Sequence, residues 1–97
     1  MDDQTLHLDY KSITGPRAVE IVPVMQMGRM RYQILANDAR LELAGSFFLT
    51  PRKAMEEVES TLRKRYGEMA GELKWVLKAG GVDRPVAAAD VGDSWPG

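Results

Sequence analysis

The hydrophobic period of this chain changes from two to about 3.6 at Thr50. No other feature restricts the fold as much. A period of two gives a strand one apolar face, and a period of 3.6 gives a helix one apolar stripe. Within 97 residues the two surfaces have to bury each other.

Before the change, residues 5–10 read TLHLDY, with Leu6, Leu8 and Tyr10 alternating against Thr5, His7 and Asp9. The run 12–16, SITGP, carries turn chemistry. AVEIVPVMQM over 18–27 is rich in β-branched residues, and Pro23 predicts an edge position or a bulge because proline has no N–H for the ladder. Gly28 opens a tight turn into RMRYQILAN, where Met30, Tyr32 and Ile34 alternate with Arg29, Arg31 and Gln33. Asn37-Asp38 is the next break. ARLELAGSFFL is read as a fourth strand with Leu41 and Leu43 on one face and a bulge at Gly45.

After the change, Thr50 suits the N-cap and Pro51 the first helical position. Apolar residues then follow at 54, 55, 58, 62, 66, 69, 73 and 76, one stripe whose phase runs through Gly67 and Gly71. The pattern predicts a helix over 51–79, either continuous with a kink or split near Gly67, and the unbroken phase favours one helix. Gly80-Gly81 reads as its stop. The expected fold class is α+β: an antiparallel sheet of three to four strands packed against one long C-terminal helix. Residues 1–80 form the single domain and 81–97 a flexible tail.

Composition narrows the function. There is no cysteine, so disulfides, thiolate chemistry and cysteine zinc sites are excluded. The formal charge is −1, but residues 29–66 carry +3 between two flanks of −2 each. No apolar run has membrane-span length and the first ten residues are acidic, so the chain is expected to be cytoplasmic. His7, the one histidine, shares its strand face with Asp9, too small a set for a closed metal site. Ser12, Ser46, Ser60 and Ser94 lack any nucleophile signature. Glu56, Glu57 and Glu59 suit the first turns of a helix, and Glu59 is spaced to pair with Arg63. No phosphate-cradling glycine loop is present. No catalytic, metal or cofactor site is expected, and the chain is read as non-enzymatic.

Two groups of residues suggest binding. Arg29, Arg31, Arg52, Lys53, Arg63, Lys64 and Arg65 are a candidate contact surface for a partner or for nucleic acid. Met25, Met27 and Met30 cluster around one turn and are expected to fill core gaps. An edge strand would instead offer Met25 and Met27 to a partner, with Met69 and Trp75 of the helix stripe as further candidate interface residues. The Gly67-to-Gly71 spacing suits close approach of the helix to the sheet or a partner.

Over residues 18–66, the order of strands followed by GSFFLTPRKAMEEVE resembles two groups. One is the arm-type DNA-binding domain of phage tyrosine recombinases. The other is the small accessory proteins of phages and mobile elements, some anti-CRISPR inhibitors among them. The resemblance lies in the order of elements, without a diagnostic motif, and carries no functional residue across. The expected function is a protein-binding adaptor or inhibitor, able to form a homodimer through a sheet edge or the helix stripe. The alternative is a DNA-binding regulatory module that uses the basic residues.

Overall fold

The computed structural model describes residues 4–92 and residue 95. Three long strands come first: β1 (Thr5–Ser12), β2 (Gly15–Gln26) and β3 (Arg29–Ala36). A 3-10 turn at Ala39–Leu41 and a two-residue strand β4 (Phe47–Phe48) lead into helix α1 (Pro51–Tyr66). A second 3-10 turn (Gly67–Ala70) precedes β5 (Trp75–Ala79) and β6 (Val82–Val86). The fold is α+β, with one six-stranded sheet in the order β4-β3-β2-β1-β5-β6 and every neighbouring pair antiparallel. The meander β1–β4 thus builds one side, and α1 crosses the sheet to deliver β5 against the free side of β1.

The sheet has six strands rather than three to four, and both added strands come from sequence read as helix and tail. Helix α1 begins as the caps predict: the Thr50 hydroxyl accepts the Lys53 N–H at 3.2 Å, and Pro51 follows. It ends at Gly67, not at 79, because Gly67 and Gly71 both take positive φ (57° and 82°), which leaves the helical region. Beyond them the run Trp75-Val76-Leu77 has the β-branched and aromatic character of a strand, and Leu6↔Leu77 and Leu8↔Trp75 place it beside β1. Gly80 and Gly81, both with positive φ, form the two-residue turn of the β5–β6 hairpin. The expected tail therefore supplies β6 and a buried Val91; positions 93, 94, 96 and 97 of that expected tail lie outside the described residues.

Two further strand assignments change. Leu41 and Leu43 are buried as expected, but from a 3-10 turn and the loop after it, where Glu42 has φ of 56°. Ile34 exchanges main-chain hydrogen bonds with two successive residues, Gly45 and Ser46, the two-against-one count of the expected bulge. β2 is an interior strand despite Pro23. The pairing with β1 starts at Leu6↔Ile21, so Pro23 lies where β2 overhangs its neighbour and no ladder bond is lost.

The core lies between one sheet face and the helix. Leu6, Leu8, Val19, Ile21, Ile34, Trp75 and Leu77 from the strands meet Ala54, Met55, Val58 and Leu62 of α1. At one end of this layer a single carboxylate joins three elements. Asp38 Oδ2 accepts the hydroxyls of Tyr10 (2.8 Å, from β1) and Tyr66 (2.6 Å, from the last turn of α1). Its Oδ1 accepts the Arg40 N–H at 3.1 Å and caps the 3-10 turn. The two tyrosine rings stack with centroids 5.9 Å apart.

Burial alone would raise the Asp38 carboxyl pKa. The hydrogen bonds from Tyr66, Tyr10 and Arg40 together outweigh it and hold the group below its ordinary value of 3.8. Tyr10 is pushed up by burial and by its bond to Asp38, and Tyr66 by the bond to Asp38 and then burial. A depressed carboxylate contributes stability above its unfolded pKa that is lost as pH falls through the folded value. A raised phenol contributes stability below about pH 10 that is lost as pH climbs past it. Urea unfolding across pH should therefore show an acid limb below about pH 4 and an alkaline limb above about pH 10. Asp38→Asn should cost about 1–3 kcal/mol at neutral pH and flatten the acid limb. An acid limb unchanged in that variant would assign it to other carboxylates.

Candidate interaction surface

The strand register sorts the β2–β3 hairpin into two unlike sides. β1 leaves β2 after Ile21, and β4 pairs with β3 only at Tyr32 and Gln33. The pairs Val24↔Arg31, Met25↔Met30 and Gln26↔Arg29 thus form a two-stranded ribbon that projects past its neighbours by about three residues, roughly 10 Å. Alternation puts Met25 and Met30 on the side continuous with the core face. It puts Val24, Gln26, Arg29 and Arg31 on the other side, which is the uncovered face of the sheet.

At the tip, Met27 and Gly28 both have positive φ (51° and 80°), as a two-residue primed turn requires. Asparagine, aspartate or glycine fits the first of these positions at low cost. A methionine there holds a left-handed backbone at a cost of about 1 kcal/mol or more. Its side chain is 98% exposed and recovers nothing by packing. Met25 is 66% and Met30 43% exposed, so the cluster does not fill core gaps as expected; the methionine that does so is Met55 in α1. The reason is the overhang, which carries Met25 and Met30 past the rows that β1 flanks.

The expected interface residues separate. Met25 and Met27 are at the ribbon tip, and Met69 is exposed on the second 3-10 turn. Trp75 is not an interface residue: it is 2% exposed, in the core of β5, with its indole N–H toward Glu59 at 3.4 Å. That contact also occupies the glutamate expected to pair with Arg63, whose guanidinium donates to the Gly67 carbonyl instead.

The basic residues do not form one surface. Arg29 and Arg31 lie on the uncovered sheet face at the ribbon, and Arg31 also donates to the Met30 carbonyl at 3.0 Å. Arg52 is tied down, donating to the carbonyls of Ala88, Ala89 and Val91, so it fastens the last segment to the helix start. Lys53 is exposed in the first turn of α1. Arg63, Lys64 and Arg65 are exposed in its last turn, on the layer opposite Arg29 and Arg31, and Arg65 reaches Glu42 at 3.9 Å.

Compared with known proteins, the chain matches no family model, no curated protein and no solved structure.

The uncovered face is mixed. His7 lies near its centre, with Nε2 2.9 Å from Asp9 and Nδ1 3.5 Å from Glu20. The two carboxylates meet opposite edges of the ring, so they do not converge on a common point. Among the described residues no group of three histidine, cysteine, aspartate or glutamate side chains is placed to hold a metal. Ser12 faces the helix layer and donates to the Gly15 carbonyl at 2.9 Å, so it is not presented to His7. Apolar groups flank this polar cluster: Val22, Val24 and Val76 are half-buried, and Leu35 and Phe47 are more than 40% exposed. Among the described residues no helix is long and apolar enough to cross a membrane.

Sequence reading named Met25, Met27, Arg29 and Arg31 but not the register that divides them, nor Leu35 and Phe47. A signal for the last two was present: they occupy the face opposite Ile34 and Phe48 on their strands. Met27→Asn should raise the stability of the isolated chain by about 1 kcal/mol in urea unfolding, since asparagine accepts the left-handed turn. A destabilised variant would show that the Met27 side chain packs in solution.

Proposed function

We propose that the chain is a non-enzymatic protein-binding module, an adaptor or inhibitor, whose contact element is the β2–β3 ribbon. The observation that carries this reading is Met27, an exposed thioether in a backbone conformation that opposes it. A bulky apolar side chain in that position contributes nothing to folding, and a binding role accounts for it. Met25 and Met30 widen the contact on the core side of the ribbon. Unbranched, polarizable methionines adapt to varied apolar surfaces. The arginines on the other side supply charge-assisted hydrogen bonds at the rim.

Photocrosslinking in the source cells tests the proposal. A photoreactive residue at position 27 should give discrete protein adducts that disappear when Met25 and Met30 are changed to serine. The same residue at Glu57, exposed on the helix, should give none. Identical adducts from both positions, or none from position 27, would count against the ribbon as the contact element.

A second reading rests on a specific observation: Arg29 and Arg31 share one side of a projecting two-stranded ribbon, a shape that enters a DNA groove. It is distinguished by a DNA-shift titration at two salt concentrations. Binding that weakens with salt, with a slope reduced by about two in the Arg29→Ala/Arg31→Ala variant, would favour DNA over protein.

A further inference from the structure

The segment after β6 does not leave the fold. Residues 87–91 return to the start of α1, where Arg52 donates to the carbonyls of Ala88, Ala89 and Val91, and Val91 is buried. Between this segment, the connection before β5 and the flank of α1 lies a cleft of about 310 Å³. That volume is at the small end of the roughly 300–1,000 Å³ of ligand pockets. Leu73, Trp75, Val86 and Ala88 line it and belong to or pack against the core, so its floor is apolar. The Arg52 bonds hold one wall in place before any ligand arrives, which lowers the ordering cost of binding.

One polar group meets this floor from the helix. Glu59 is half-buried, and its Oε2 accepts the Trp75 indole N–H at 3.4 Å, a long bond. Arg63, one helical turn on, donates to the Gly67 carbonyl instead. Asp90 adds a second carboxylate at the rim, and neither acid has a cationic side chain within 4 Å among the described residues. Lys74 also lines the cleft, but it is exposed and its ammonium lies 3.6 Å from Glu72. The cleft thus sets uncompensated negative charge beside an apolar floor, where a carboxylate attracts a cation more strongly than in open water. A hard metal ion is a poor match, since it needs about six oxygen ligands and this lining is mostly apolar.

We propose that the cleft binds a small organic ammonium ion, a protonated primary amine carried on a short apolar body. The ammonium donates to Glu59, the body covers Leu73, Val86 and Ala88, and Asp90 draws the charge inward from solvent. A neutral or anionic ligand of the same shape lacks the charge-assisted bond. The cleft is built from α1 and the β5–β6 side, apart from the β2–β3 ribbon, so it stands or falls independently of the protein-binding reading.

An NMR titration of the isotope-labelled full chain with phenethylamine at neutral pH tests the proposal. The Trp75 indole N–H and the amides of Val86 and Ala88 should shift and saturate, while those of Met27 and Arg31 stay still. A dissociation constant of about 1 mM or tighter is expected. The corresponding alcohol should bind at least about tenfold more weakly, and phenylacetate should not bind. Glu59→Gln keeps an oxygen for the Trp75 N–H, so circular dichroism should show the fold retained. Its affinity for the amine should nevertheless fall at least about tenfold, and that of Asp90→Asn about two- to fivefold. No saturable shift up to about 10 mM overturns the proposal. So does equal binding of the alcohol, or an unchanged affinity in Glu59→Gln. Saturation by N-acetyl-lysine amide with none by phenethylamine also overturns it, and would make the cleft a docking site for a lysine of another protein.

Discussion

The Asp38 carboxylate is the one contact on which the rest of the arrangement depends. It binds the end of β1 through Tyr10, the end of α1 through Tyr66, and the turn after β3 through the Arg40 N–H. These three elements are far apart in sequence and meet at one corner of the core. A buried carboxylate is costly unless its lone pairs are used, and here each oxygen has a partner. The same bonds oblige both phenols to remain protonated. Fixing the last turn of α1 there also fixes where the chain leaves the helix, and Gly67 and Gly71 then turn it back toward the free side of β1. The position of β5, and through it β6, follows from that exit.

The first half of the fold was legible because each element there has a local signal. β1 to β3 alternate, their turns carry glycine or threonine and serine, and α1 starts with a hydroxyl cap and a proline. The second half was not legible, for a physical reason rather than for want of signal. Leu73 and Val76 continue the helical stripe by phase, yet Leu73 lies in the connection before β5 and Val76 fits a strand. Gly80-Gly81 ends a helix and also forms the tightest kind of hairpin turn. What separates the alternatives is tertiary: β1 has an unpaired side that is apolar in Leu6 and Leu8, and Trp75 and Leu77 complete it. Asp38 was visible only as a turn residue. Its partners were visible as tyrosines on buried faces, each with a hydroxyl that needs an acceptor.

The methionines among the described residues show how position in the register, not residue type, decides role. Met55 is fully buried because the helix stripe carries it onto the sheet. Met25 and Met30 keep the same facing as the core but lie beyond the last row that β1 reaches, and Met27 sits in the turn itself. The candidate site thus arises from a mismatch in length. β2 and β3 are longer than the layer that covers them, and β1 and β4 do not follow them outward. Had the strands been equal, Pro23 would have interrupted a ladder and Met25 would have been core.

One helix crossing a six-stranded sheet covers one face, and the order of the strands decides what the other face carries. Because β1 is central, His7 and its two carboxylate neighbours come to the middle of the uncovered side. Because β2 and β3 project together, their arginines come to its end. An interior strand normally shows near-continuous hydrophobicity when both its faces are covered. β1 and β2 instead alternate, with Thr5, His7, Asp9, Ala18 and Glu20 outward. Such alternation suits a face that meets water in the free chain, and the valines among those polar groups suit one that can leave it. The mixed character of the uncovered face thus follows from strand order and from a single helix covering the other side.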